Sequence, residues 1–258
     1  MTDVSVIGCG HMGSALVKGL SRVDTHRVTA CDRNHDTLEA LDPYCAQTTT
    51  DVAEAATADV VIVAVKPNSI ESVLDDLDLP ASTTLVSVAA GVPRSFLQRH
   101  TDATVVRVMP NMAAETGNMA AAVAWDDPDD AVAGLLDDLG EYVVVDEDQM
   151  DVATALNGSG PAFVYYFIQS MQNAAVAEGL DPDAAETLAA QTFKGAAETV
   201  LRADEDVAEL IDAVCSEGGT TIEGMEVLWD SDVESVVGET LGAAAERSRE
   251  LAGDFDDE

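Results

Sequence analysis

The spacing of apolar residues changes character partway along the chain. Up to about residue 150, short β-branched runs alternate with segments whose apolar positions recur at helical spacing. The runs VSVI (4–7), RVTAC (27–31), VVIVAV (60–65), TLVSVA (84–89), TVVRVM (104–109), MAAAVA (119–124) and YVVV (142–145) predict strands. Between them MGSALVKGL, DTLEALD, SIESVLDDL, PRSFLQRH and PDDAVAGLLDDLG predict helices. VVIVAV and TLVSVA are apolar nearly throughout, so both of their faces are expected to be buried, which fits a mainly parallel sheet with helices on each side.

After Asp151 the strand signals stop and successive helices follow. Pro161 suits a first helical turn, Gly179 a helix stop, and Asp181-Pro182 an N-cap with proline at the first helical position. The expected architecture is an α/β Rossmann-type domain over residues 1–150, followed by an all-α domain over 151–258. FVYYFIQSMQNAAVA and AAETLAAQTF hold more apolar positions than one amphipathic face needs, which predicts packing against a second subunit.

Charge adds a second layer. Lys and Arg number 12 against 49 Asp and Glu, a formal net charge of -37, and the acids are dispersed along the chain. With lysine confined to Lys18, Lys66 and Lys194, the balance reads as adaptation to molar salt, where a Debye length of about 3 Å screens self-repulsion. Such a surface argues against nucleic acid and anionic membranes as partners. Cys9, Cys31, Cys45 and Cys215 share no metal-ligand spacing with each other or with histidine, so no metal is expected and the thiols read as reduced, in a cytoplasmic protein. The N-terminus carries no signal-peptide pattern, and no segment reaches the roughly 20 apolar residues that span a bilayer.

The chemistry starts at VSVIGCGHMGSALVKGL. Gly8, Gly10 and Gly13 stand in G-x-G-x-x-G spacing directly after a strand and at the start of a helix, the context of a dinucleotide fingerprint, with His11 and Met12 inside the loop. Phosphate is then expected on the helix N-terminus. Asp32, 19 residues beyond Gly13, stands where an acid commonly bonds the ribose 2′-hydroxyl, whereas Arg33 suits a 2′-phosphate; a helix cap and a surface charge are the structural alternatives. Ala64, Lys66 and Pro67 in AVKPN, Ala90 and Gly91 in AAG, and Asn111 in MPN follow predicted strands, where ligands bind in open α/β sheets.

Late in the chain, CSEGGTTIEGMEVLWD interrupts helical spacing with paired glycines and threonines. Thr220-Thr221-Ile222-Glu223 reads locally as a capping box, with Thr220 at the N-cap and Glu223 at N3.

With IGCGHMGSAL, AVKPN, SVAAGV, RVMPN, LNGSGPAF and AVCSEGGTTIEGMEVL in that order over about 220 residues, the chain resembles the pyrroline-5-carboxylate reductase family. The resemblance implies an NAD(P)H-dependent oxidoreductase that reduces Δ1-pyrroline-5-carboxylate to L-proline. NADP is the expected cofactor, with NAD the alternative, and the expected assembly is a homodimer that in this family often builds a decamer. It also implies that the Ser216 hydroxyl and the amides of Gly218, Gly219 and Thr220 receive the substrate carboxylate, and that the Thr221 hydroxyl bonds the ring nitrogen. Ser216 and Thr221 are thereby the catalytic candidates. The segment from Asn157 to Phe163 reads either as a substrate contact or as a helix entry. Departures from the family pattern fall at Glu217, Met112, Ala113 and Val207, where proline, threonine, proline and proline are usual. They keep open a catalytically silent NAD(P)-binding oligomer. A reductase of another small imino or β-hydroxy acid is a further alternative, weakened because Lys194, the only lysine of the helical half, has no matching motif around it.

Overall fold

The computed structural model describes residues 1–127, 129–253 and 255. Pro128, at the start of the predicted helix PDDAVAGLLDDLG, and most of the terminal DFDDE run lie outside the described residues. The chain divides into two compact units: Met1–Ser159 with the described residues from Leu241 onward, and Gly160–Thr240.

In the first unit an eight-stranded sheet runs β3-β2-β1-β4-β5-β6-β7-β8. The strands are β1 (Thr2–Ile7), β2 (His26–Cys31), β3 (Gln47–Thr49), β4 (Val60–Val63), β5 (Thr84–Ser87), β6 (Thr104–Met109), β7 (Met119–Ala124) and β8 (Gly140–Val144). All neighbours pair in parallel except β6 and β7. This is the mainly parallel sheet the apolar runs predict, and every residue of β4 and β5 is buried. The short polar strand β3 was not predicted. Its QTT has no apolar pattern, and it pairs only with β2 at the sheet edge.

Helices cover both faces. On one side α1 (His11–Leu20) and α6 (Asp130–Leu139) bury Leu16, Leu20, Val132, Leu136 and Leu139 against Val6, Ile62 and Val106. On the other, α4 (Ile70–Asp75) and α5 (Arg94–Gln98) bury Ile70, Leu74, Phe96 and Leu97 against Val61, Val63 and Leu85. Fully burying one such aliphatic side chain is worth about 1.5–3 kcal/mol, so these two layers hold the sheet that positions the loops at its end. Two shorter helices, α2 (His35–Leu41) and α3 (Val52–Ala55), flank β3, and α7 (Met150–Ala153) runs into a π-turn over Thr154–Gly158.

The second unit holds α8 (Gly160–Ala177), α9 (Pro182–Arg202), α10 (Val207–Val214), α11 (Thr220–Trp229) and the start of α12 (Val233–Gly253). Its helix boundaries follow the predicted signals. Gly179 takes a φ of 100° after α8, and the Asp181 side chain caps α9 by accepting from Asp183 N and Ala184 N, with Pro182 next. Tyr165, Tyr166, Met171 and Leu188 stay exposed on these helices. The later half of α12 belongs to the first unit, where Ser248 Oγ donates to Asp151 Oδ1 at 2.6 Å.

Candidate active site

The parallel register aligns the C-terminal ends of four strands, Cys31, Ile7, Val63 and Ser87 being successive partners across β2, β1, β4 and β5, and Ser87 pairs with Arg107 two residues before the end of β6. The loops that follow therefore emerge along one edge. The order reverses between β1 and β4, whose next strands lie on opposite sides, and this switch point is where open α/β sheets bind ligands. Ala64 N donates to Ile7 O at 2.8 Å, which joins the two diverging loops at their roots.

The glycine loop fits a pyrophosphate. Gly8 turns the chain at a φ of 89°, and a Cβ there would stand 2.6 Å from Val65 Cγ1. A Cβ on Gly13 would overlap the Gly8 carbonyl, so α1 rests directly on the loop. Around Gly10, by contrast, a Cβ would find nothing within 4 Å. Gly10 is the N-cap of α1 and supplies no side-chain cap, leaving the first-turn amides at His11, Met12 and Gly13 without a side-chain acceptor. Open space above uncapped N–H groups at the positive end of a helix is what a phosphate requires.

Asp32 links the loop after β1 to the loop after β2. Its Oδ2 accepts from Cys9 N at 2.6 Å and its Oδ1 from Asn34 N at 2.8 Å. Helix α2 is capped by Asn34, whose Oδ1 accepts from Asp36 N at 2.9 Å, so Asp32 is not the helix cap. Arg33 is exposed and makes no hydrogen bond or ion pair among the described residues. Burial, and then the charge of Asp32, push the Cys9 thiol up to about 12; burial and Asp32 likewise push Cys31 up to about 11. Both thiols stay neutral beside the loop and place no negative charge where a phosphate would sit.

Lys66 is exposed at the end of β4 and precedes a 3-10 turn that begins at Pro67. Ala90 and Gly91 follow β5; a Cβ on Gly91 would stand 2.9 Å from Leu251 Cβ, so α12 closes on this loop. Asn111 is buried after β6, its Oδ1 accepting from Ala113 N at 3.1 Å and Ala120 N at 3.3 Å. Met112, one of the departures, begins the turn that Asn111 caps and is exposed.

Two polar devices stand near these loops, and the first of them was not foreseen. Arg107, buried in β6, donates to Glu147 Oε1 at 2.6 Å, and the same oxygen accepts Arg94 N at 3.2 Å at the head of α5. Glu147 thus ties the end of the AAG loop to the sheet. The signal was present as a lone charge inside the apolar run TVVRVM. Asn157, in the π-turn, donates from Nδ2 to Met109 O at 2.7 Å and Ala120 O at 2.8 Å. Its amide nitrogen satisfies carbonyls of β6 and β7.

In the second unit, the loop from Cys215 to Gly219 joins α10 to α11. Gly218 turns it at a φ of 69°, and Gly219 is the N-cap of α11, again without a side-chain cap. The capping box predicted on Thr220 and Glu223 does not form: the glycine-driven turn shifts the N-cap back by one residue, so Thr220 is already helical. Gly219 N donates to Ser216 O at 2.9 Å, so of the four groups expected to receive a carboxylate this amide is already used. Ser216, Glu217, Gly218, Thr220 and Thr221 are exposed. Among the described residues no group of His, Cys, Asp and Glu is arranged to hold a metal.

The fold and the glycine loop define a Rossmann-type dinucleotide-binding oxidoreductase with a helical C-terminal region. Residues 3–91 match the family described as NADP oxidoreductase coenzyme F420-dependent, and residues 147–251 the one described as pyrroline-5-carboxylate reductase dimerisation. The chain is 38% identical to the pyrroline-5-carboxylate reductase of Methanosarcina acetivorans, across 96% of this chain and 97% of that one. It is 33% identical to that of Arabidopsis thaliana, across 96% and 95%. Among solved structures, a pyrroline-5-carboxylate reductase from Coxiella burnetii superposes with a TM-score of 0.88 at 31% identity, covering 97% of this chain and 98% of that one. A Plasmodium falciparum pyrroline carboxylate reductase with NADP bound gives 0.84 at 28%, covering 97% and 98%. The chain belongs to the pyrroline-5-carboxylate reductase family.

Proposed function

We infer that this protein reduces the C=N bond of Δ1-pyrroline-5-carboxylate to give L-proline, the last step of proline biosynthesis, with NADPH as reductant. The observation that carries the reading is the uncapped N-terminus of α11 behind the Gly218 turn, in a chain that matches its relatives nearly end to end. When bound, the cofactor supplies a hydride to the imine carbon. The protein's part is binding and orientation.

Gly10 and the amides of His11, Met12 and Gly13 hold the pyrophosphate, while Ala64, Lys66, Pro67, Ala90, Gly91 and Asn111 border the cofactor at the strand ends. In the second unit the amides of Gly218 and Thr220 and the Ser216 hydroxyl receive the substrate carboxylate. The N–H groups and dipole of α11 favour that anion. Thr221 Oγ1 hydrogen-bonds the ring nitrogen, which carries the proton that makes the imine carbon electrophilic. Glu217 is exposed on the same turn, and its charge faces solvent as part of the acidic surface.

The exposed apolar side chains of α8 and α9 support a homodimer, for which a decamer is the larger family assembly. The dispersed acidic charge supports an enzyme working in high salt; no helix among the described residues is long and apolar enough to cross a membrane.

Initial rates of NADPH and NADH oxidation with this imine in concentrated potassium chloride, with L-proline identified as product, test the reading. A folded sample that binds NADPH and turns over no imine would overturn it.

A further inference from the structure

We propose that Glu147 is a positioning residue for hydride transfer: by bonding Arg94 N and the Arg107 guanidinium through one carboxylate oxygen, it fixes the span of loop 88–93. The proposal rests on the reaction and the cofactor placement inferred above. Loop 88–93 carries Ala90 and Gly91 and runs from the end of β5 to the head of α5. Its start is held by the sheet, where Val88 N donates to Val63 O at 3.1 Å and Ala89 N to Ser87 Oγ at 3.4 Å. Its end is held by Glu147 Oε1, which accepts Arg94 N at 3.2 Å.

The same oxygen accepts Arg107 Nη1 at 2.6 Å, and Arg107 is the register partner of Ser87, the residue at which the loop leaves β5. One ion pair therefore sets the distance between the two ends of the loop. Each partner is itself fixed. The Arg107 side chain is 4% exposed inside β6, and Glu147 opens a 3-10 turn closed by a capping box between Asp146 and Gln149. An apolar residue at 147 could fill the space but would offer Arg94 N no acceptor. Salt screens a partly buried pair much less than a surface one, so this clamp persists in the high salt inferred above.

Arg94 is the first residue of α5, so its N–H has no partner inside the helix, and Pro93 before it already lies at φ -75° and ψ 152°. Proline fits such a position. Arg94→Pro therefore removes the bond to Glu147 that Arg94→Ala keeps, while both lose the ion pair to Asp126. The two variants are compared by single-turnover oxidation of NADPH with saturating imine, with steady-state KM and melting temperature recorded for each. Arg94→Pro is expected to oxidise NADPH about 10- to 100-fold more slowly than Arg94→Ala, with the KM for imine close to that of Arg94→Ala. Equal rates in the two variants overturn the proposal. If Arg94→Pro melts below the assay temperature, Glu147→Gln, which keeps an oxygen for Arg94 N, is compared with Glu147→Ala, which keeps none. Glutamine is then expected to recover at least about 10-fold in rate, and no recovery overturns the proposal. A wild type that binds NADPH but leaves the imine unreduced strikes the reaction inferred above and this proposal with it; equal rates in variants of an active wild type strike this proposal alone.

Discussion

Gly10→Ala separates a glycine kept for the fold from one kept for a ligand. Gly10 has φ -64° and ψ -159°, an extended backbone with negative φ, and its Cβ would meet nothing of the protein within 4 Å. Alanine is a poorer N-cap than glycine by a few tenths of a kcal/mol or more. It recovers about 0.4–1 kcal/mol by restricting the unfolded chain. The two nearly cancel, so the melting temperature should stay close to wild type. Nucleotide binding should not, because the methyl group fills the approach to the α1 amides. Losing one hydrogen bond to a charged group costs about 1.5–3 kcal/mol, or roughly a 10- to 100-fold rise in Kd for NADPH. Gly13→Ala is the control with the opposite signature: its Cβ would overlap the Gly8 carbonyl, and overpacking of this kind costs about 1–3 kcal/mol, so the melting temperature itself should fall. Titration of NADPH fluorescence alongside thermal unfolding reads both quantities. Wild-type NADPH affinity in a folded Gly10→Ala protein would refute the assignment of that space to the pyrophosphate.

Thr221→Ala should lower kcat/KM for the imine about 10- to 100-fold, the worth of a hydrogen bond to a charged nitrogen, while NADPH binding stays at wild type; steady-state kinetics and titration check it together. Glu147→Ala leaves the buried Arg107 without its carboxylate and should cost about 3–5 kcal/mol, seen as a fall in denaturant midpoint. The Cys9 thiol, held up to about 12 by burial and by Asp32, should resist alkylation in the native protein at neutral and mildly alkaline pH. Because its folded value lies above its unfolded value of 9.0, the stability it contributes is complete below pH 9.0 and is lost as pH rises from there towards about 12. Urea melts across that window should show the decline.

The parts of the molecule governed by repeating pattern were legible without coordinates. VVIVAV and TLVSVA announce buried strands because a parallel sheet covered on both faces demands apolar residues at every position. The glycine loop was legible for a similar reason, since its three glycines answer to a turn, an open approach and a helix contact that no other residue satisfies. Features fixed by tertiary partners were not. Nothing local to Asp32 says that its carboxylate will reach Cys9, and nothing local to Glu147 says that it will meet both Arg107 and Arg94. Strand β3 escaped because a three-residue edge strand depends on backbone pairing more than on side chains. At α11 the pattern Thr-x-x-Glu was a sound local signal, overridden by a left-handed Gly218 that ends the turn one residue early.

The first compact unit is assembled from both ends of the chain, with the later half of α12 set against Gly91 and bonded through Ser248 to Asp151. On the ribosome this imposes a schedule. At about 5–20 residues per second, roughly 4–16 s pass while Gly160–Thr240 is made, after the eight strands are complete and before their last helix exists. During that interval the loop after β5 lacks its cover. A stop codon placed just before Leu241 would leave the sheet in that state permanently.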